Sequence, residues 1–268
     1  MGKGRIILRM TSSSSFTGRV SLAKALRRGF VAAYDNLGYI ALVSFGSSLA
    51  TFVVFSAGLK LARMTDLGIF EVIFAIPAGL VAWLAGVGLF YYAKKLIYHE
   101  YPSTGDTLSG IRILIVPALA LFFINLVVTA LLLGDAIALF LAKRAQGICI
   151  ALGVLCVYMT IVWLMAALYH LPLLAFQLDM PSGPKPFVVI RKSFLLLADN
   201  PAFTVGLFAA IIALAVICVI PGFVGMVLFY PGATAFVITH GLRELFVKYG
   251  MVEEEPEIVE DKGWPQRD

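Results

Sequence analysis

Four side chains stand in otherwise apolar surroundings where they could do chemistry: Asn125, Asp135, His170 and His240. At membrane depth a carboxylate or imidazole relays protons or holds a cation, and an amide orients a solute or bonds a neighbouring helix. No two of the four lie at metal-ligand spacing, and the chain has no HExxH, GxSxG, phosphate-loop or paired-aspartate motif. Catalysis, a bound metal and a cofactor are therefore not expected. Asn125 is expected to make an interhelical hydrogen bond worth about 1 kcal/mol. His170, two residues before Pro172, is expected to bond the carbonyls that the proline frees. Asp135 would be drawn inward if its helix ran on to Ala142. Those roles leave Asn125, Asp135 and His170 as the binding candidates, and His240 near one end of its segment. Cys149, Cys156 and Cys218 have no CxxC spacing and read as small apolar packing groups.

The elements that must position these residues are announced by missing charge. Asn36 to Leu59, Val72 to Ala93, Ile113 to Gly134 and Ala145 to Leu178 carry no Asp, Glu, Lys or Arg, and Asn200 to Leu242 is uncharged for 43 residues. About 20 apolar residues cross a bilayer core of ~30 Å. The first four runs hold one crossing each, and the last, broken at Pro221-Gly222, holds two. The expectation is an all-α, polytopic helical membrane protein with six transmembrane helices over about 37–59, 72–93, 113–134, 147–172, 201–220 and 222–242. A hydrophobic fraction of 60%, a charged fraction of 14% and a mean hydropathy of +0.94 exclude an ordinary soluble domain.

Six crossings place 17 of the 21 Lys and Arg residues on one side of the membrane and 4 on the other. The positive-inside rule makes the richer side cytoplasmic, with both termini on it, in a plasma (inner) membrane. Residues 1–34 are basic and serine-rich, like an organellar transit peptide, but the apolar run behind them is 24 residues long and reads as an uncleaved span. Residues 1–20 are expected to be a basic arm without fixed structure, and 251–268 an acidic tail, solvated through Glu253 to Asp261.

From Ser21, a plausible N-cap, the chain has helical periodicity. Leu22, Ala25, Leu26, Phe30 and Ala33 share one face of a helix over about 21–34, and Lys24, Arg27 and Arg28 share the other. This predicts an interfacial helix whose cations meet anionic lipid head groups. Nucleic-acid binding is disfavoured, because the helix is tethered to a bilayer and lacks interleaved aromatics. A second arm over about 186–199, with Arg191 and Lys192, looks like a copy. Arg28-Gly-Phe30 followed by Asp35-Asn36 recurs 164 residues later as Lys192-Ser-Phe194 followed by Asp199-Asn200. Asp35, Asn36, Asp199 and Asn200 are expected to end each arm and cap the next helix by accepting from its first-turn N–H groups. Pro77 and Pro231, each inside a span, extend the comparison. A fainter third copy would be a short helix from Asp106 through Arg112.

The first arm with its Asp35-Asn36 junction, the Pro77-Ala-Gly turn, the stretch from Trp163 to Leu174 ending Tyr169-His-Leu-Pro172-Leu-Leu, and the arm from Phe187 to Asn200 together resemble the YesL-like family. That resemblance implies a small bacterial integral membrane protein of five or six helices with no assigned activity and no family site residues to carry over. It also implies an accessory role beside carbohydrate uptake or degradation; the serine-rich N-terminus and acidic tail depart from the pattern. The leading expectation is an accessory or scaffold component that partners the bilayer and a membrane protein such as a transport complex. A transporter or channel for a small neutral solute is the alternative, and requires Asn125, His170 and Asp135 to converge on a mid-depth cavity. A lipid-modifying enzyme is third.

Overall fold

A computed structural model describes residues 20–98, 100, 102–142, 146–180, 183–220 and 222–252. The serine run at 12–15 and the acidic block at 253–261 lie outside the described residues. Ten α-helices follow in order: α1 (Leu22–Asp35), α2 (Leu37–Thr65), α3 (Ile69–Ile97), α4 (Thr104–Leu141), α5 (Gln146–Ala167), α6 (His170–Phe176), α7 (Pro186–Asp199), α8 (Pro201–Val219), α9 (Val224–Leu228) and α10 (Tyr230–Lys248). The described residues contain no strand. Among the described residues, five segments are long and apolar enough to cross a membrane: α2, α3, α4, the stretch Gly147–Asp179 that holds most of α5 and all of α6, and α8. Their outer faces are studded with bare apolar side chains such as Val116, Ile148 and Val154, 74%, 68% and 56% exposed. An apolar exterior of this extent fits a lipid environment.

Three departures from the sequence reading have identifiable causes. The sixth apolar segment, expected over 222–242, is not one helix. Gly222 and Phe223 take left-handed backbone at φ 75° and 66°, α9 lasts five residues, and the chain breaks again at Phe229. Pro231 then stands in the first turn of α10, where its missing N–H costs nothing, rather than inside a helix. Helix α10 runs on to Lys248 and buries Arg243 and Glu244, so it is not among the five apolar segments. Secondly, the short helix expected from Asp106 is continuous with the third span. A capping box between Ser103 and Asp106 starts α4, which runs 38 residues through Pro117. Thirdly, the fourth segment breaks after Ala167, just ahead of Pro172, whose ring crowds a helical carbonyl at Leu168. There the Tyr169 N–H turns back to the Ala166 carbonyl in a tighter turn.

Helices α1, α4 and α7 begin at residues 22, 104 and 186, two equal steps of 82 residues. Each opens a unit of arm, outgoing helix and return helix, and each arm packs on the return helix of the preceding unit. The start of α4 meets α3, where Gly88 faces Thr107 and Gly110 faces the Tyr91 ring. Helix α7 lies on α5 and α6, with Phe194 and Trp163 rings 5.8 Å apart. Helix α1 docks on α10, where a β-carbon on Gly29 would stand 2.7 Å from the Val237 Cα, and this closes the ring. The apolar face of α1 is thus spent on protein rather than on lipid. Ala25 and Ala33 are fully buried, Leu22 presses on Gly206 of α8, and only Phe30 of that face is exposed, at 38%.

Candidate functional site

Of the three binding candidates, two meet. The Asn125 side chain from α4 and the His170 ring from α6 lie 3.0 Å apart between Nδ2 and Nδ1, and the Asn125 amide also donates to the Leu121 carbonyl at 2.8 Å. His170 is fully buried, and its ring stands edge-on to Trp163 at 5.6 Å. The imidazole is therefore partnered by the amide across the helix pair, not by the carbonyl that Pro172 frees. Asp135 joins neither. Helix α4 does continue through Leu141, with Ala142 as its C-cap, but Asp135 faces outward while its neighbour Ala136 is buried. The convergence of all three that a solute site would need does not form.

A cavity lies elsewhere, beside the middle of α2 and α3. A space of about 650 Å³ opens between α2, α3 and the α9–α10 segment, walled by Ser47, Ser48 and Thr51, by Ala78 and Ala85, and by Tyr230. Ser47 donates to the Ser44 carbonyl, Thr51 to the Ser47 carbonyl and Ser48 to the Val227 carbonyl, at 3.0, 2.8 and 3.3 Å. Neither Asn125, His170 nor Asp135 touches this space. Alanine runs on a span carry no marker of a cavity, which is why the sequence did not reveal it.

At the arm end of the bundle the polar residues interlock. Arg28 of α1 donates to Glu244 of α10 at 3.1 Å, and Lys95 of α3 to Asp106 of α4 at 2.8 Å. The Lys94 ammonium, nearly buried, reaches Asp179 at 2.8 Å and the Ala175 carbonyl at 3.1 Å. Around it, Phe176 meets Tyr98 and Phe246 edge to face, with ring centres 5.9 and 5.1 Å away. Burial pushes the Tyr98 phenol up to about 12, and the Asp179 carboxylate acts in the same direction, so the group stays neutral. Among the expected interfacial cations, Arg27 and Arg191 are exposed, Arg28 is drawn into its ion pair, and Lys192 reaches the Met180 sulfur at 3.4 Å; Lys24 is half-buried.

The junction residues act on the helix behind them. Asn36 donates to the Ala32 carbonyl at 2.9 Å and Asn200 to the Leu196 carbonyl at 3.4 Å, both one turn back, and neither caps the helix that follows. A tyrosine meets each: Tyr92 donates to Asn36 at 3.4 Å, and Asn200 donates to the Tyr249 hydroxyl at 2.8 Å. Asp35 and Asp199 are the last residues of their arms, and Tyr249 also donates to Asp199. The amide side chains prefer the orphan carbonyls of the arm because the one-residue junction places those within reach. No family model, curated protein or solved structure matches this chain.

Proposed function

We propose that this chain is a six-crossing scaffold or accessory protein of the plasma (inner) membrane, its arm end and both termini cytoplasmic. The observation that carries the reading is the interlocked arm end. Lys94, Phe176 and Phe246 are buried together at the arm end, with Tyr98 and Asp179 beside them, where a solute path would have to emerge. The polar pair at depth, Asn125 and His170, is spent on holding α4 to α6. The return leg of the sixth crossing runs from α9 through α10, since Tyr230, the first residue of α10, already stands at the level of the cavity. Because neighbours surround α10, it can carry Arg243 and Glu244 that a lipid-facing helix could not. Arg27 and Arg191, left exposed at the arm end, supply the affinity for anionic head groups. The YesL-like resemblance adds only the kind of complex served, one for carbohydrate uptake or utilisation.

Cross-linking in native membranes, followed by purification in mild detergent, tests the reading together with flux. The expected result is a stoichiometric complex with another integral membrane protein, while proteoliposomes of the chain alone pass no more labelled sugar than empty ones. Saturable flux through the lone chain, abolished by Asn125→Ala or His170→Ala, would establish the transporter reading instead.

A further inference from the structure

We infer that the space between α2, α3 and α10 is a binding site for one hydrocarbon chain of a membrane lipid, entering sideways from the bilayer. The inference rests on the membrane placement proposed above and adds a ligand to it. The two helices of the first hairpin touch on either side of the space and part between. Toward the far end, Gly58 lies so close to Phe74 that a β-carbon there would be 2.3 Å from the ring-bearing Cβ. Toward the arm end, Tyr39 and Tyr92 stack with ring centres 3.6 Å apart, and Ile40 fills the notch at Gly232. Both ends are shut. The exposed wall residues are Phe52, Phe55, Ala75 and Ala82, on the flank of the hairpin, so the opening faces the surroundings of the bundle rather than either aqueous side.

Chemistry and size then select the occupant. The wall on α3 is alanine, glycine and Leu89, the three hydroxyls on α2 have already given their protons to backbone carbonyls, and two further hydroxyls, Tyr230 and Thr234, face the space from α10. Water needs two to four polar partners to stay in a cavity, and a charged head group at this depth is disfavoured. A partner helix is too thick. At ~10 Å across with side chains, a helix would fit only about 8 Å of its length into such a volume, roughly one and a half turns. A hydrocarbon chain is thin enough to thread the space, and the volume is in the range of ordinary ligand pockets. Apolar walls left bare would forfeit their dispersion contacts, and the chain supplies those.

The test uses the full chain in nanodiscs of phosphatidylcholine doped either with phosphatidylcholine carrying a photoactivatable diazirine within one acyl chain, or with a free diazirine fatty acid. Cross-links are mapped by peptide mass spectrometry. Labelling is expected on residues 47–55 and 75–89 at several times the density found on the outer face of α5, at Ile150 and Val154, which serve as the bulk-lipid reference. Ala85→Phe fills the space and is expected to reduce the cavity labelling several-fold while leaving α5 unchanged; Ser48→Leu is the second filler, should the first fail to fold. Labelling from the phospholipid supports the inference, and labelling from the free acid alone overturns it. Cavity labelling no denser than that of α5, or indifferent to both fillers, overturns the inference. No labelling even at Ile150 and Val154 would instead sink the membrane placement.

Discussion

Arg28 of the first helix donates to Glu244 of the last at 3.1 Å, an ion pair across 216 residues of sequence. It closes the ring in which each arm rests on the return helix before it. Glu244 is 9% exposed and Arg28 21%, so the pair is largely withdrawn from water. Removing one partner of a fully buried pair costs about 3–5 kcal/mol, and some screening by solvent lowers this here to about 2 kcal/mol for Glu244→Ala or Arg28→Ala. The double variant is expected to lose less than the sum, with a coupling of about 1 kcal/mol in detergent unfolding. Strict additivity would mean that the contact does not tie α1 to α10.

Glycines in α1 and α2 give opposite signs. Gly29→Val drives a branched side chain into the Val237 backbone, and is expected to destabilise by about 1–3 kcal/mol through overpacking. Nothing lies within 4 Å of a β-carbon on Gly38, so Gly38→Ala is expected to be neutral or to stabilise by up to about 1 kcal/mol from helix propensity. Thermal unfolding of the two variants in one detergent checks the order.

The Lys94 and Asp179 pair is asymmetric, since the lysine side chain is 6% exposed and the aspartate 54%. Asp179→Ala strands a buried ammonium with the Ala175 carbonyl as its remaining close acceptor, whereas Lys94→Met removes the charge and leaves the aspartate half in water. Asp179→Ala is therefore expected to be the more damaging of the two by about 1–2 kcal/mol. Equal losses in unfolding would contradict the burial of this pair.

Asn125→Ala is expected to cost about 1 kcal/mol of stability, typical of an interhelical hydrogen bond in a bilayer, with no change in solute flux. His170→Phe, which keeps the ring against Trp163 but loses the bond, should resemble it. A flux phenotype without a stability change would move this pair from packing to transport.

How much of this was legible in the sequence follows from what each element has to bury. That two helices end at Asp35 and Asp199, 164 residues apart, was visible because Asp-Asn junctions and basic faces leave a spaced imprint. What α1 packs on was not visible: an apolar face reads the same whether it meets lipid or Val237. The last helix was misplaced because missing charge was the only ruler for a span. Arg28 neutralises Glu244 from another part of the chain, which lets α10 extend past Leu242, and the left-handed turn at Gly222-Phe223 delays its start. The meeting of Asn125 with His170 required knowing that Pro172 breaks α5 from α6, and the cavity required the splay of two helices between Gly58 and Tyr39.

The central claim is that the bundle crosses the bilayer so that α1 and the end of α10 share the cytoplasmic side, with the α2–α3 turn opposite. Single cysteines at Lys24, Asp66 and Tyr249, in a chain whose three native cysteines are replaced by alanine, can be probed in intact cells with a membrane-impermeant maleimide. Labelling at position 66 alone, with 24 and 249 reacting only after the membrane is opened, is the result the account predicts. Labelling at 249 but not 24 from outside would mean that α10 does not cross, and would contradict it.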